Sequence, residues 1–338
     1  MSGRPKMRVA LITTVLNEED SLPTLLESIA SQSRQPDELI VVDGGSTDRS
    51  VSILNEWQDR LPVQVLVQPG ANISQGRNAA IERTSCDIVA VTDAGVHLDP
   101  DWLERLTEPF IQNAVSVDVV SGFFRPYCET DFEAALAATT LPDVEEIDGR
   151  TFLPSSRSVA FRKSWFDAGL RYPEWLDFCE DLVFDLRMKR AGARFLFRPD
   201  AQVGFRPRSS AMSFWRQYYR YARGDGKAGL FAKRHLIRYA TYFVALPSLF
   251  LTRSPVWRML VLLGAVAYVR RPAQRLWNRR NGDAIAVARL LPLAGLLRAF
   301  GDFAKMAGYP AGLLWRARNH GLRRDWRTIP ERTASSRD

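Results

Sequence analysis

Cysteine is scarce in this chain: Cys86, Cys128 and Cys179 are the only three, and none forms a CxxC pair. An odd, scattered set excludes a disulfide framework and a cysteine zinc site, and it leaves reduced core thiols of a cytosolic domain as the expectation. The opening MSGRPKMRVALITTV passes from a basic tip straight into a strand pattern, with no small-residue cleavage site behind an apolar segment, so no secretory leader is expected. Long apolar runs are missing too. Tyr239–Leu251, Met259–Val269, Ala284–Leu297 and Phe303–Trp315 each fall short of the roughly 20 residues a helix needs to span a bilayer. Arginines such as Arg253, Arg258, Arg289 and Arg298 flank or interrupt them.

What the chain has is 338 residues with the apolar and charged fractions of a folded protein, and a charge split that the net +8 conceals. Residues 206–338 hold 26 Lys and Arg against 6 Asp and Glu, while residues 1–205 hold 20 against 32, so an acidic half precedes a strongly basic one. A basic half suits nucleic acid or an anionic membrane. Apolar helices edged by Arg and Trp favour the lipid interface, where long basic side chains reach phosphates. An ordinary helical subdomain is the competing reading.

The first half alternates. Met7–Val15, Leu39–Val42, Val63–Val67 and Ile88–Thr92 read as short buried strands, and helical patterns follow at Leu22–Ile29, Val51–Trp57 and Ser74–Arg83. Such alternation predicts right-handed βαβ units around a parallel sheet. Asp99-Pro100 predicts a helix from about Asp101, with Asp99 as its cap. Val117–Phe123 is a fifth strand candidate. Ala134–Pro142 and the loop Glu129–Thr151 give no legible element, Phe178–Ala191 is helical, and Ser213–Arg223 is an aromatic, basic helix.

Carboxylates and glycines mark where these strands end. Asp43-Gly44-Gly45-Ser46-Thr47-Asp48 follows the second strand, where glycines let backbone approach a ligand. Asp93 ends the fourth strand; alone it reads as a turn cap. Gly76-Arg77-Asn78 could bring a guanidinium to a phosphate. Glu180-Asp181 opens a helix, a place where carboxylates are favoured in any case, and one such acid could serve as general base. Gln217, Arg220 and Tyr221 share one side of a helix.

In this order and spacing, the segments from Met7 to Lys227 resemble the family 2 inverting glycosyltransferases of the GT-A fold, a Rossmann-like α/β architecture. Thr14-Val15-Leu16-Asn17-Glu18-Glu19 matches the family's first-strand motif, and Asp43, Gly45 and Ser46 its nucleotide-contacting turn. Asp93 matches the first acid of the DxD metal motif. Glu180-Asp181 is similar to the ED pair whose aspartate is the base, and Gln217-Tyr218-Tyr219-Arg220-Tyr221 resembles a QxxRW motif with tyrosine in place of tryptophan. The resemblance implies a catalytic pair Asp181 and Glu180. It implies donor contacts from Thr14, Asn17, Glu18, Asp43, Gly45, Ser46, Arg77, Asp93, Gln217, Arg220 and Tyr221, and Mg²⁺ or Mn²⁺ at Asp93. The activity implied is transfer of a sugar from a nucleotide diphosphate sugar to a hydroxyl of a lipid-linked or polysaccharide acceptor, with inversion.

One position departs from the pattern: Gly95 stands where the second DxD acid belongs. Asp93 could then bind metal weakly, recruit His97 or Asp99, or share its task with Arg77, Arg220 and Arg223. The expected organisation is a GT-A domain over 1–230, a basic apolar helical region over 231–330 that lies on or in the cytoplasmic membrane face, and a disordered tail over 331–338. A nucleotide-sugar donor, a glycan or lipid-linked acceptor and an anionic membrane are the expected partners, without nucleic acid. Two other readings compete. A sugar nucleotidyltransferase would carry a glycine-rich loop with a lysine near the N-terminus, and Leu11–Asp20 has neither. A catalytically silent membrane adaptor is favoured by the basic half and by Gly95.

Overall fold

The computed structural model describes residues 7–112 and 117–331, which pack as two compact units. The first comprises residues up to 125, 144–205 and those from 330, and the second 126–143 with 206–329. Of the predicted tail over 331–338, residues 332–338 lie outside the described residues.

Unit one is built on strands β1 (Val9–Val15), β2 (Glu38–Asp43), β3 (Val63–Val67) and β4 (Ile88–Val91), which alternate with helices α1 (Leu22–Ala30), α2 (Ser50–Glu56) and α3 (Ile73–Arg83). Strand β5 (Val96–Leu98), helix α4 (Trp102–Ile111), strand β6 (Val119–Pro126), strand β7 (Val159–Arg162), and the later α6 (Lys163–Asp167), α7 (Glu180–Arg190) and β8 (Phe195–Phe205) complete it. Successive side chains of a strand point to opposite faces. Leu39 and Val41 of β2 accordingly join Leu25, Trp102 and Phe110 in one buried cluster, while Ile40 and Val42 join Ile81, Phe184 and Met188 in another. Both faces are covered, which is why these strands read as unbroken apolar runs.

The sheet order is β3-β2-β1-β4-β7-β6-β8-β5. Only its first four strands are parallel; β4 pairs with β7, β7 with β6, and β5 with β8 in antiparallel fashion. The parallel order expected of the four alternating strands is present. A parallel partner needs a crossover connection, and β7 is entered from irregular chain after a single turn at Val144–Glu146. The Asp99 cap is also corrected. The helix begins at Trp102 behind Asp101, and the Asp99 carboxylate is held instead by Arg125 at 2.7 Å.

Unit two holds α5 (Asp131–Thr140), α8 (Ala211–Ala228), α9 (Ala232–Ala240), α10 (Leu246–Leu251), α11 (Pro255–Arg279) and α12 (Ala284–Asn319). The illegible stretch contains α5, whose signal is a capping box: Thr130 and Glu133 each bond the other's backbone N–H at 3.2 Å. The second unit takes up the chain again at Arg206, and within it α8 packs along α12. Glycines allow that approach. A β-carbon on Gly308 would sit 2.1 Å from the Tyr219 carbonyl oxygen, and one on Gly312 2.1 Å from that of Arg223.

The apolar stretches also differ from expectation. Ala284–Leu297 and Phe303–Trp315 are parts of one 36-residue helix, long and apolar enough by length and composition to cross a membrane. The polar interval between them does not break it, since its side chains find partners within the unit. Arg298 donates to the Tyr268 carbonyl, Asp302 accepts from Arg238 at 2.7 Å, and Gly301 lies against the Phe214 ring.

Candidate active site

Parallel strands end together, and register puts Val15, Asp43 and Val67 side by side at the C-terminal edge of the sheet. The loops beyond them are knitted by hydrogen bonds. Asn17 adopts left-handed φ of 55°; its N–H donates to Ser46 Oγ at 2.8 Å, and its Oδ1 accepts from Thr47 N at 2.9 Å. Glu18 N donates to Ser50 Oγ at 2.9 Å, and the Glu18 carboxylate accepts from Ser21 Oγ at 2.5 Å. Thr14 packs against α3, where a β-carbon on Gly76 would lie 2.8 Å from its methyl. Thus the two loops singled out by sequence form one rigid ledge.

Asp43 is fully buried, and its Oδ2 accepts from Gly45 N at 2.8 Å and Ser46 N at 2.9 Å. Gly45 is required there, with φ of +100° and the Pro69 α-carbon 3.0 Å from where a β-carbon would be. The other oxygen, Oδ1, has no hydrogen-bond partner among the described residues. A buried lone acceptor of this kind is unfavourable unless a donor reaches it.

Arg77, the guanidinium expected near a phosphate, lies inside the unit and is paired with carboxylates. It is 2% exposed, donating Nη1 to Glu180 at 2.6 Å and Nη2 to Asp93 at 2.9 Å, beside the Tyr172 ring. The guanidinium therefore ties α3, the end of β4 and the start of α7 into one cluster. Burial pushes the Glu180 carboxyl up to about 7, with the charge of Asp181 adding to the effect and Arg77 opposing it.

Glu180 and Asp181 are neighbours on α7 with different surroundings. Glu180 turns inward to Arg77. Asp181 is half-buried, accepts from Leu182 N at 2.7 Å and Ser156 N at 3.5 Å, and makes no ion pair among the described residues. One turn on, Asp185 is buried, with its carboxyl well above the usual range because of desolvation and then the Asp181 charge.

Sequence reasoning missed Arg157. Its Nε lies 3.7 Å from Asp93 Oδ2, and its guanidinium stacks over the Phe205 ring at 4.1 Å. The polar run Ser155-Ser156-Arg157-Ser158 before an apolar strand was the available signal. The surroundings of Asp93 bear on metal. Both of its oxygens face guanidinium groups, Gly95 contributes no ligand, His97 is exposed on β5, and Asp99 is paired with Arg125. Among the described residues no group of three potential ligands gathers, so the donor set does not fit the expected Mg²⁺ or Mn²⁺. Gln217, Arg220 and Tyr221 belong to α8 in the second unit, where Gln217 Nε2 donates to Tyr221 Oη at 3.1 Å.

Residues 10–167 match the family model "Glycosyl transferase family 2", and the match spans β1, the two knitted loops, Arg77, Asp93 and Arg157. The chain carries a family 2 glycosyltransferase domain. Its sheet is that of the GT-A fold, and the chain is similar in fold to the mannosyltransferase PcManGT from Pyrobaculum calidifontis, solved with GDP-Man and Mn²⁺. That structure superposes with a TM-score of 0.55 at 17% identity over 93% of this chain and 88% of the other. The O-antigen chain rhamnosyltransferase RfbN of Salmonella typhimurium is 23% identical over 209 residues, 58% of this chain and 66% of its own length. An undecaprenyl-phosphate 4-deoxy-4-formamido-L-arabinose transferase of Pectobacterium carotovorum is 35% identical over 107 residues, 30% of this chain and 32% of its own length. The chain thus spans from about a third to two thirds of the length of these curated relatives.

Proposed function

We propose that the family 2 domain transfers a sugar from a nucleotide diphosphate sugar to a hydroxyl of a lipid-linked or polysaccharide acceptor, with inversion, at the cytoplasmic face of a membrane. The observation that carries this reading is the division of labour between adjacent acids: Glu180 is occupied by Arg77, while Asp181 has no cationic partner among the described residues. A carboxylate in that condition can accept a proton. Asp181 would take it from the acceptor hydroxyl as the oxygen attacks the anomeric carbon, and the bond from that carbon to the diphosphate would break on the opposite side, giving inversion.

Asp43 Oδ1 and the Asn17–Ser46 ledge are suited to the nucleoside, with Thr14, Glu18 and Gly45 shaping the ledge. Arg157, not a metal, is the cation we assign near the departing diphosphate, and Arg77 holds Asp93 and Glu180 in place around it. Fixed charge of this kind commonly supplies the largest share of rate enhancement. Gln217, Arg220 and Tyr221 are assigned as donor residues on their motif alone. The acceptor class is supported by the undecaprenyl-phosphate and O-antigen transferases among the relatives, and the membrane by the exposed apolar helices of unit two.

The test is release of nucleotide from a panel of UDP-, GDP-, dTDP- and CDP-sugars by the wild type and by Asp181→Asn. Turnover should fall by about 10²-fold or more in the variant while donor affinity by calorimetry is unchanged. Near-wild-type transfer by Asp181→Asn would remove the base assignment. No nucleotide release from any donor by the wild type would leave the silent adaptor in its place.

A further inference from the structure

Unit two contains a cavity of about 360 Å³ that no part of the transfer reaction uses. Four basic residues line it, Arg234, Arg238, Arg298 and Lys305, against a single acid, Asp302. That acid is taken: Arg238 pairs with it at 2.7 Å, and Tyr268 and Tyr242 donate to it at 2.7 and 3.2 Å. Lys305 has no carboxylate partner among the described residues; its ammonium lies 4.7 Å from the centre of the Tyr218 ring. Arg298 likewise lies over Tyr268 at 4.2 Å, and Arg234 over Phe231 at 4.5 Å. Three cations thus lie against ring faces, Arg298 also donating to the Tyr268 carbonyl, and none pairs with a carboxylate among the described residues, in a concavity large enough for a phosphate group.

The same helices expose large apolar side chains. Phe243 is 65% exposed, Phe250 92%, Leu251 86% and Leu262 65%, and all four belong to the unit that forms the cavity. A ligand suited to both features has an anionic phosphate head and hydrocarbon tails.

We infer that this cavity seats the phosphate of an anionic membrane lipid between Lys305, Arg298 and Arg234, with the exposed residues of 243–262 entering the acyl layer. Lysine and arginine supply the charge-assisted hydrogen bonds, and the uncompensated positive charge attracts an anionic leaflet. The inference rests on the membrane part of the proposed function and not on the chemistry of transfer.

The experiment is flotation of the full-length chain with phosphatidylcholine vesicles, with and without phosphatidylglycerol. It compares wild type, Arg234→Gln/Lys305→Met, and the charge-matched control Arg323→Gln/Arg324→Gln, which lies outside the cavity and is exposed. Removing two basic contacts should lower partition into anionic vesicles by about tenfold in the cavity variant. The control should keep nearly all its binding. Should the cavity variant fail to fold by thermal melting, Arg234→Gln alone, on the exposed rim, carries the comparison. Equal losses in both variants would reduce the effect to general charge and overturn the inference. Overturning it as well would be thermal stabilisation by inorganic phosphate that depends on Lys305 while vesicle binding does not, since the cavity would then hold free phosphate. Failure of the wild type to float would end the membrane reading itself, an outcome distinct from a loss confined to the variant.

Discussion

Arg77 and Glu180, 103 residues apart in sequence, meet at 2.6 Å in the interior of the first unit, and neither side chain has more than 7% of its surface exposed. This buried pair decides which of the two adjacent acids, Glu180 or Asp181, is left without a cationic partner among the described residues.

Truncating Arg77 to Ala leaves a buried carboxylate without its cation. Loss of one partner of a buried pair typically lowers stability by about 3–5 kcal/mol. Urea denaturation should show a loss in that range. Arg77→Lys should recover only part of it, because a single ammonium cannot present two parallel N–H groups to Glu180 and Asp93.

The raised carboxyl of Glu180, at about 7, has a consequence for stability. Between its unfolded value of about 4.3 and the folded one, the folded chain retains a proton that the unfolded chain has released. The contribution is full below the unfolded value and is lost as pH rises through about 7. Melting temperature should therefore decline from about pH 5 to pH 8, and Glu180→Gln should flatten that slope. A slope unchanged by the substitution would assign it to another group.

Gly95 has no heavy atom within 4 Å of where a β-carbon would be, and its backbone is in an ordinary region. Gly95→Asp should consequently fold, and it restores the second acid of the motif. Thermal shift should register Mn²⁺ binding to the variant that the wild type lacks. Sugar transfer by the wild type should survive EDTA. Inactivation by EDTA with recovery on Mn²⁺ would show that donor phosphates complete a metal site around Asp93.

Gly308→Val places a branched side chain where a β-carbon would already be 2.1 Å from a backbone carbonyl. Separation of α8 from α12 should lower stability by about 1–3 kcal/mol or more, as overpacking commonly does. Gly264→Val, with no neighbouring heavy atom within 4 Å of where a β-carbon would be, is the matched control and should change the melting temperature little.

Much of this was legible along the chain. Unbroken β-branched runs, capping signals and the glycine turn after Asp43 act within a few residues of one another. Local physical chemistry therefore located β1 to β4 and the helices between them, and the order of motifs placed the family. The charge split likewise separated a basic half that is now seen to begin at Arg206. What proximity along the chain could not supply were contacts among distant residues. Whether β7 runs parallel or antiparallel to β4 depends on how β5, α4, β6 and α5, which lie between them in the chain, come to rest. Whether Arg77 meets solvent or two carboxylates depends on where α3 and α7 rest on the sheet. The polar interval at Arg298–Asp302 reads as a break until Arg238 and Tyr268 are present to satisfy it. Local propensity acts over three or four residues, whereas the burial of a charge is set by everything packed around it; the first was contained in the sequence, and the second came only with tertiary structure.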